Sequence, residues 1–498
     1  MTHFEAQIRS YMDAAFPILY LNTYEEDTAK QAILRASENI PQLDLLVWDG
    51  TDRICDLRTG AVRYDSMFTL SSVLDDRLNW TGRQVFILEN IDTFMDDPGV
   101  MARLKKIAER IHNGTLDTTV FILSPVLKIP QELEKYITVV DMDYLDTGEI
   151  RRTIREFAQE QEFQVSETLE KTFAEAFRGL SEFEIQHILQ LAYSEHGELR
   201  KSQIDLIFAQ KQQMIKKAGI LEMIPLREGM NDIGGLDNLK QWLERKAKIL
   251  TNMDEAQRFG VDMPKGVLIA GVPGCGKSLS AKAAAKRFNI PLLRMDMGRL
   301  LGKYVGESEG NMRNAIKLAE GISPCVLWID ELEKAFAGIG GEGSGAEVTT
   351  RLFGSFLTWL QEKTSPVFVV ATANDITKLP PELLRKGRFD EIFYVGLPQK
   401  SERRKIFEIH IKKRRPDDFP DIAIDRLVER TEGYSGADIE GVVRESVEAV
   451  FAEDRKKLTT DDLMSAINNT HSLSEIMKGP IQQMEQEYQN RKFKNASK

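Results

Sequence analysis

Short apolar runs separated by amphipathic stretches set the texture of the first half of the chain. FPILYL (Phe16 to Leu21), DLLVWD (Asp44 to Asp49), QVFILENID (Gln84 to Asp92) and TTVFILSP (Thr118 to Pro125) are each long enough for one buried strand, and helical spacing fills the intervals. Strands buried on both faces read as continuous apolar runs, and parallel ones need crossover helices, so this alternation predicts an α/β domain with a largely parallel sheet. NTYEEDTAKQAILRA, after the first run, reads as a turn and a helix capped by Thr23 with Glu26 three residues on. From about Thr147 to Gly197 the pattern turns helix-rich, predicting a small helical subdomain after the sheet.

The second half repeats this order. KIPQEL (Lys128 to Leu133) is answered by KLPPEL (Lys378 to Leu383), and GLSEFEI (Gly179 to Ile185) by GYSGADI (Gly433 to Ile439), both roughly 250 residues later. Two matches in one order at nearly one offset point to two copies of a module, the alternative being chance similarity of short helix starts. The boundaries read as a first module over 1–200, with its sheet part to about 146 and its helical part over 147–200, then a linker over 201–230. The second module has a large α/β part over 231–398 and a helical part over 399–471, and a polar tail over 472–498 follows. That tail opens with a helical pattern, and its last residues are expected to be disordered. The linker is basic and amphipathic between Lys201 and Arg227, which suits a solvated connector or a polybasic switch.

Composition narrows the function classes. The 498 residues are 42% hydrophobic and 29% charged with a formal charge of -11, the balance of a soluble globular protein with no general electrostatic case for nucleic acid or anionic membrane. No apolar run approaches the roughly 20 residues of a membrane span, and acids stand in the first residues where a signal peptide would be basic and then apolar. The expectation is a protein that stays where it is made. Cys55, Cys275 and Cys325 have no metal-ligand spacing, which suits free thiols in a reducing compartment.

The chemistry concentrates in GVLIAGVPGCGKS, Gly266 to Ser278: a buried-strand pattern, a glycine-rich turn, then the alanine-rich helix pattern SLSAKAAAKRF. In that context G-x-x-x-x-G-K-[ST] is a phosphate-binding loop. Gly271, Gly274 and Gly276 allow consecutive N–H groups to turn toward a polyphosphate, and the helix start adds its positive end. Lys277 reaches the β and γ phosphates and the Ser278 hydroxyl is placed for Mg²⁺, with Val272, Pro273, Cys275 and Leu279 completing the ATP-binding stretch. Modification of the Cys275 thiol is expected to inhibit binding. CVLWIDEL, Cys325 to Leu332, ends a strand in two acids: Asp330 for the metal and Glu331 to polarise the attacking water. Asn374, at the tip of VFVVATAND, is placed to bond the γ-phosphate or that water. In LLRKGRFD, Arg385 and Arg388 either stabilise charge at a neighbouring subunit's γ-phosphate or sit on a solvated loop.

DIGGL (Asp232 to Leu236), GVPGCGKS, KYVGESE (Lys303 to Glu309), the Asp330–Glu331 pair, Asn374 and LLRKGRFD together resemble an ATPase module of the AAA family within the AAA+ superfamily, over Asp232 to about His471. The resemblance implies a parallel-sheet P-loop fold with a helical lid, ATP and Mg²⁺ as cofactors, and a homo-oligomeric ring such as a hexamer. It implies that Ile233 and Gly234 flank the adenine, that His410 lies near the ribose, and that Gly436 and Ala437 contact the nucleotide from the lid. It also implies a substrate-gripping pore loop at Tyr304, Val305 and Gly306, an aromatic grip with a glycine pivot; a tyrosine packed in the core is the alternative. Ala337 to Glu347 reads as a second mobile pore-facing loop or a flexible linker.

The first module departs from that family at the chemistry. It has no phosphate loop, Glu89 and Asn90 in place of the acid pair, Ser124 where the sensor asparagine would fall, and no arginine pair after KIPQEL. It resembles a decayed AAA module kept for assembly or recognition. A degenerate module before a complete one resembles the hypothetical chloroplast open reading frame 46 proteins of algal plastids and cyanobacteria, which implies a bacterial cytoplasm or a plastid stroma. The function expected is an ATPase with one site per chain that remodels or threads a protein. The alternatives are a nucleotide-gated scaffold and, against the acidic composition, a nucleic-acid remodeller. No HExxH zinc motif is present, which argues against a fused protease.

Overall fold

A computed structural model describes the chain except for residues 1–2, 24, 51–52, 66–68, 143, 218, 301–306 and 336–343. It divides into two compact units, Met1–Ile204 and Asp205–Lys498.

The first unit is built on seven strands: β1 (Ile18–Asn22), β2 (Leu43–Trp48), β3 (Arg53–Asp56), β4 (Val62–Asp65), β5 (Arg83–Glu89), β6 (Thr118–Ser124) and β7 (Ile137–Val140). Their order across the sheet is β4-β3-β2-β5-β6-β1-β7. The five strands from β2 to β7 run parallel, while β3 and β4 form an antiparallel edge hairpin. Alternate residues feed opposite faces, as the pleat requires: Ile18 and Tyr20 join one apolar core, Leu19 and Leu21 the other. Helices Thr147–Glu160, Glu167–Phe177 and Glu182–His196 follow the sheet. The first and third start in capping boxes, Asp146 with Glu149 and Ser181 with Glu184.

In the second unit β8 is Leu221–Ile224, β9 Gly266–Gly271, β10 Leu292–Met295, β11 Cys325–Ile329, β12 Val367–Ala373, β13 Glu391–Val395 and β14 Lys494–Asn495, in the order β14-β13-β9-β12-β11-β10-β8. Strands β13, β9, β12, β11 and β10 are parallel and correspond one for one to β7, β1, β6, β5 and β2. The internal repeat is therefore a repeat of topology. Even the bend after the third core strand matches, with Asn90 at φ 53° and Glu331 at φ 51°.

A helical lid packs Phe407, Leu427, Val442 and Leu463 into its own core, using helices Lys400–Arg414, Ile424–Arg430, Gly436–Ala452 and Thr460–Asn469. Two stretches are more structured than their polarity suggests. The expected linker contains β8, antiparallel on β10 with Ile224 opposite Leu292, and Glu222 pairs with Arg294 at 2.7 Å. The expected tail forms helix Lys478–Arg491, whose buried Ile481 and Tyr488 lie two turns apart on one face, and then β14 beside β13. A few well-spaced anchors suffice to fold a segment whose average is polar: the Tyr488 ring stacks on Tyr394 at 4.0 Å, and Ala496 is fully buried. No helix among the described residues is long and apolar enough to cross a membrane.

Candidate nucleotide site

Strand β9 delivers the chain into the glycine-rich turn at a point crowded by its neighbour. Gly271 has φ 144°, and a Cβ there would lie 2.0 Å from the Val395 oxygen on β13, so only glycine fits. Gly274, at φ 72°, accepts the Ala437 N–H of the lid helix through its carbonyl at 2.9 Å, and a Cβ on it would press on Ala437 at 2.9 Å. The turn is thus held from two sides before helix Lys277–Phe288 begins.

Lys277 is 6% exposed, and its Nζ donates to the Gly271 and Val272 carbonyls at 2.8 Å each. Burial lowers its pKa to about 8 against the opposing pull of nearby groups including Glu333, Asp330 and Glu331. Among the described residues none of these carboxylates closes an ion pair with it. A buried amine facing a cavity without a counter-ion is a site built for an anion.

The acid side is a connected network. Asp330 Oδ1 accepts from the Ser278 hydroxyl at 3.0 Å and from the Thr372 hydroxyl at 2.5 Å, while Thr372 Oγ1 accepts the Glu331 N–H at 3.0 Å. The Asn374 amide donates to Glu331 Oε1 at 3.1 Å, and the Asn374 N–H donates to Glu333 Oε1 at 3.0 Å. Glu331 also pairs with Lys334 at 2.5 Å. Desolvation raises the pKa of the buried Glu333 carboxyl against the Asn374 N–H bond that lowers it. The Ser278 hydroxyl and the Asp330 carboxylate, held by Thr372, are hard oxygen donors of the kind that fits Mg²⁺.

On the opposite wall the loop Ile233–Leu236 meets the lid. The Leu236 N–H donates to Glu402 Oε1 at 3.0 Å, and Lys240 Nζ donates to the Ile233 carbonyl at 2.6 Å. His410 lies 3.8 Å from Glu440, and burial holds its imidazole below the usual pKa against that carboxylate.

These walls enclose a cavity of about 440 Å³. Ile233, Gly234, Pro273, Gly274, Cys275, Gly276, Lys277, Ser278, Leu279, Asp330, Glu331, Asn374, His410, Gly436 and Ala437 all line it, as the sequence led one to expect. Gly271 and Val272 do not; their carbonyls lie behind the turn and hold Lys277. Arg385, exposed, and Arg388, half-buried, are outside the lining, and the buried Arg388 Nη1 has no hydrogen-bond partner among the described residues. Tyr304, Val305 and Gly306, with 337–343 of the second glycine-rich stretch, lie outside the described residues. Sequence reasoning missed Thr372 and Glu402. The threonine carried a weak signal, standing on β12 two residues before Asn374 at the strand's tip; the glutamate carried none, being 166 residues from the Leu236 N–H it accepts. Cys275 lines the cavity, and burial pushes its thiol up to about 11, so almost none is thiolate at neutral pH.

At the equivalent place in the first unit, the chain's own charges close the site. Helix Glu26–Ala36 opens with Glu26 and Asp27 where Lys277 opens its counterpart. Lys30 pairs with Glu89 at 2.9 Å and with Asp27 at 2.8 Å, and the Asn90 amide donates to Glu26 at 2.7 Å. Carboxylates at a helix start repel a phosphate.

Comparison with known proteins agrees with this division. Residues 267–397 match the model of the ATPase family associated with various cellular activities (AAA), and 421–465 that of the AAA+ lid domain. Residues 4–142 and 148–218 match the N-terminal and second domains of SpoVK-like AAA ATPases. The AAA domain-containing protein ycf46 of Guillardia theta is 35% identical over 97% of this chain and 94% of its own, and that of Pyropia yezoensis 34% identical over 99% of both. The cell division cycle protein 48 homolog of Archaeoglobus fulgidus is 39% identical over 43% of this chain and 29% of its own length. With similarity running through both units of the ycf46 proteins, the chain belongs to the AAA ATPases, within the family of AAA domain-containing ycf46 proteins.

Proposed function

We propose that the chain is a Mg²⁺-dependent ATPase with one hydrolytic site, built by residues 231–470 and completed by the next copy in a ring, whose work is to remodel or thread a protein. The observation that carries the reading is the cavity in which a buried Lys277, without an ion pair among the described residues, faces the Ser278–Asp330 pair and the Glu331–Asn374 pair. Lys277 and the turn's N–H groups bind the phosphates; Ser278 and Asp330 hold the metal, with Thr372 fixing Asp330. Bound Mg²⁺ neutralises charge on the β and γ phosphates. Glu331, oriented by Asn374, takes the proton of the attacking water. Ile233, Gly234 and His410 hold the nucleoside, and Gly436 and Ala437 carry its presence to the lid. Arg385 and Arg388 lie outside their own cavity, which supports a role at a neighbour's site and hence a ring. The first unit, closed by Lys30 and Glu89, serves assembly or partner recognition.

Glu331→Gln tests the assignment by separating binding from chemistry. ATP affinity is expected to change less than about twofold while hydrolysis falls at least about 100-fold. Near-normal turnover in that variant rules out Glu331 as the base and, with it, this reading of the network.

A further inference from the structure

Residues 494–498 touch the frame of the nucleotide cavity from outside. Beyond β14, the Ala496 N–H donates to the Tyr394 carbonyl on β13 at 2.8 Å. The Ala496 carbonyl accepts from both the Asn238 and Leu239 N–H groups, at 3.0 and 3.2 Å. Those are free donors at the start of helix Asp237–Thr251, whose own N-cap residue, Leu236, supplies no side-chain bond. The Asn238 amide fixes the arrangement by donating to the Asn495 and Ser497 carbonyls, at 3.1 and 2.7 Å. On the lid side, Gln399 Nε2 donates to the Lys498 oxygen at 3.1 Å.

The helix capped in this way continues directly from Ile233–Leu236, the loop that forms one wall of the cavity. Gln399 opens the first lid helix, which carries Glu402, the acceptor of the Leu236 N–H. The same short segment therefore ties together a sheet edge, the root of the wall loop and the hinge of the lid. No hydrogen bond or ion pair of residues 494–498 reaches residues 272–279 of the phosphate turn directly; the nearest link runs through β13, where the Val395 carbonyl, one residue past Tyr394, accepts the Val272 N–H at 2.9 Å, and the turn is held besides by Ala437 of the lid and by its own helix.

We propose that residues 494–498 are a positioning strap that sets the base-side wall of the nucleotide site, with Asn238 as its catch, and that they leave phosphate binding untouched. The proposal rests on the cavity being an adenine-nucleotide site. The strap touches no ligand; it acts through the Ile233–Leu236 loop, replacing a missing N-cap with a carbonyl supplied from roughly 260 residues away.

Full-length protein, Asn238→Ala and a chain ending at Phe493 are compared for binding of Mg²⁺–ADP and of Mg²⁺–tripolyphosphate by calorimetry, with thermal unfolding as a check on folding. Both variants are expected to lose about tenfold in ADP affinity, the equivalent of one lost cap, while tripolyphosphate binding stays within about twofold. Asn238→Ala decides alone if the shortened chain does not fold. Unchanged ADP affinity overturns the strap. Equal losses for both ligands overturn it too, because a general stabiliser would lower both. A wild-type chain that binds neither ligand overturns the nucleotide reading itself, and the strap with it.

Discussion

Lys277 gives the site a pH signature that can be worked out in advance. Burial holds its pKa near about 8 in the empty site, against 10.5 in the unfolded chain. Between those values the unfolded chain binds more protons, so stability rises with pH across that window; at neutral pH the buried charge costs about 3 kcal/mol. A bound polyphosphate reverses the balance by giving the ammonium a counter-charge, and this raises its pKa. Binding above pH 8 therefore takes up a proton. At pH 8.5 about three-quarters of the empty sites hold a neutral lysine, so ADP binding is expected to take up about 0.75 proton, and affinity to fall by up to about tenfold per pH unit from 8 upward. The measurement is calorimetry in two buffers of different ionisation heat, with Lys277→Arg as the control, because a guanidinium stays charged and should flatten the dependence. His410 lies below this window and Cys275, at about 11, above it. Constant affinity from pH 7 to 9.5, or an equal slope in Lys277→Arg, refutes the reasoning.

Two further outcomes follow from the same geometry. If Arg388 acts on a neighbour, Arg388→Ala and Glu331→Gln are each inactive alone, and an equal mixture recovers about a quarter of wild-type hydrolysis, because half of the intact sites meet an intact arginine; no recovery on mixing rejects action in trans. Lys30→Met strands the buried Glu89 carboxylate and is expected to destabilise the first unit by about 3 kcal/mol in denaturant unfolding, without changing nucleotide affinity. A change in affinity would show that the closed site communicates with the open one.

The parts legible in the sequence are those whose physics is local. Val267 to Ala270 declare a strand by burial on both faces, and Gly271 to Ser278 declare a phosphate turn because dihedral freedom, an amine and a hydroxyl must occur at fixed spacing. Thr372 was barely legible and Glu402 not at all, because each matters through a bond to a residue distant in the chain, Asp330 for one and the Leu236 N–H for the other. The tail misled for a related reason. Polarity averaged over 472–498 hides the buried Ile481, Tyr488 and Ala496, and the last two count only once β13 and helix Asp237–Thr251 are there to receive them.

The two sheets show how little of a fold its chemistry occupies. The order of the five parallel core strands and the left-handed bend at Asn90 or Glu331 are the same in both units, so backbone topology alone does not set the chemistry at the strand ends. The difference lies at the end of the first core strand. Where Gly271 to Lys277 lead the second unit into its helix with an amine that is bonded to two backbone carbonyls and has no ion pair among the described residues, Glu26 and Asp27 open the corresponding helix, and Lys30 is already taken by Glu89. A site emptied of its phosphate turn would leave Glu89, 5% exposed at a strand end, as an uncompensated buried charge. Lys30 answers it from the next helix, and desolvation still holds the Glu89 carboxyl above its ordinary pKa against that lysine. The ion pair thus lets the first unit keep the architecture of the second with a buried acid at the same strand end: Lys30 supplies from within the chain the positive charge that a bound metal would bring to such a carboxylate.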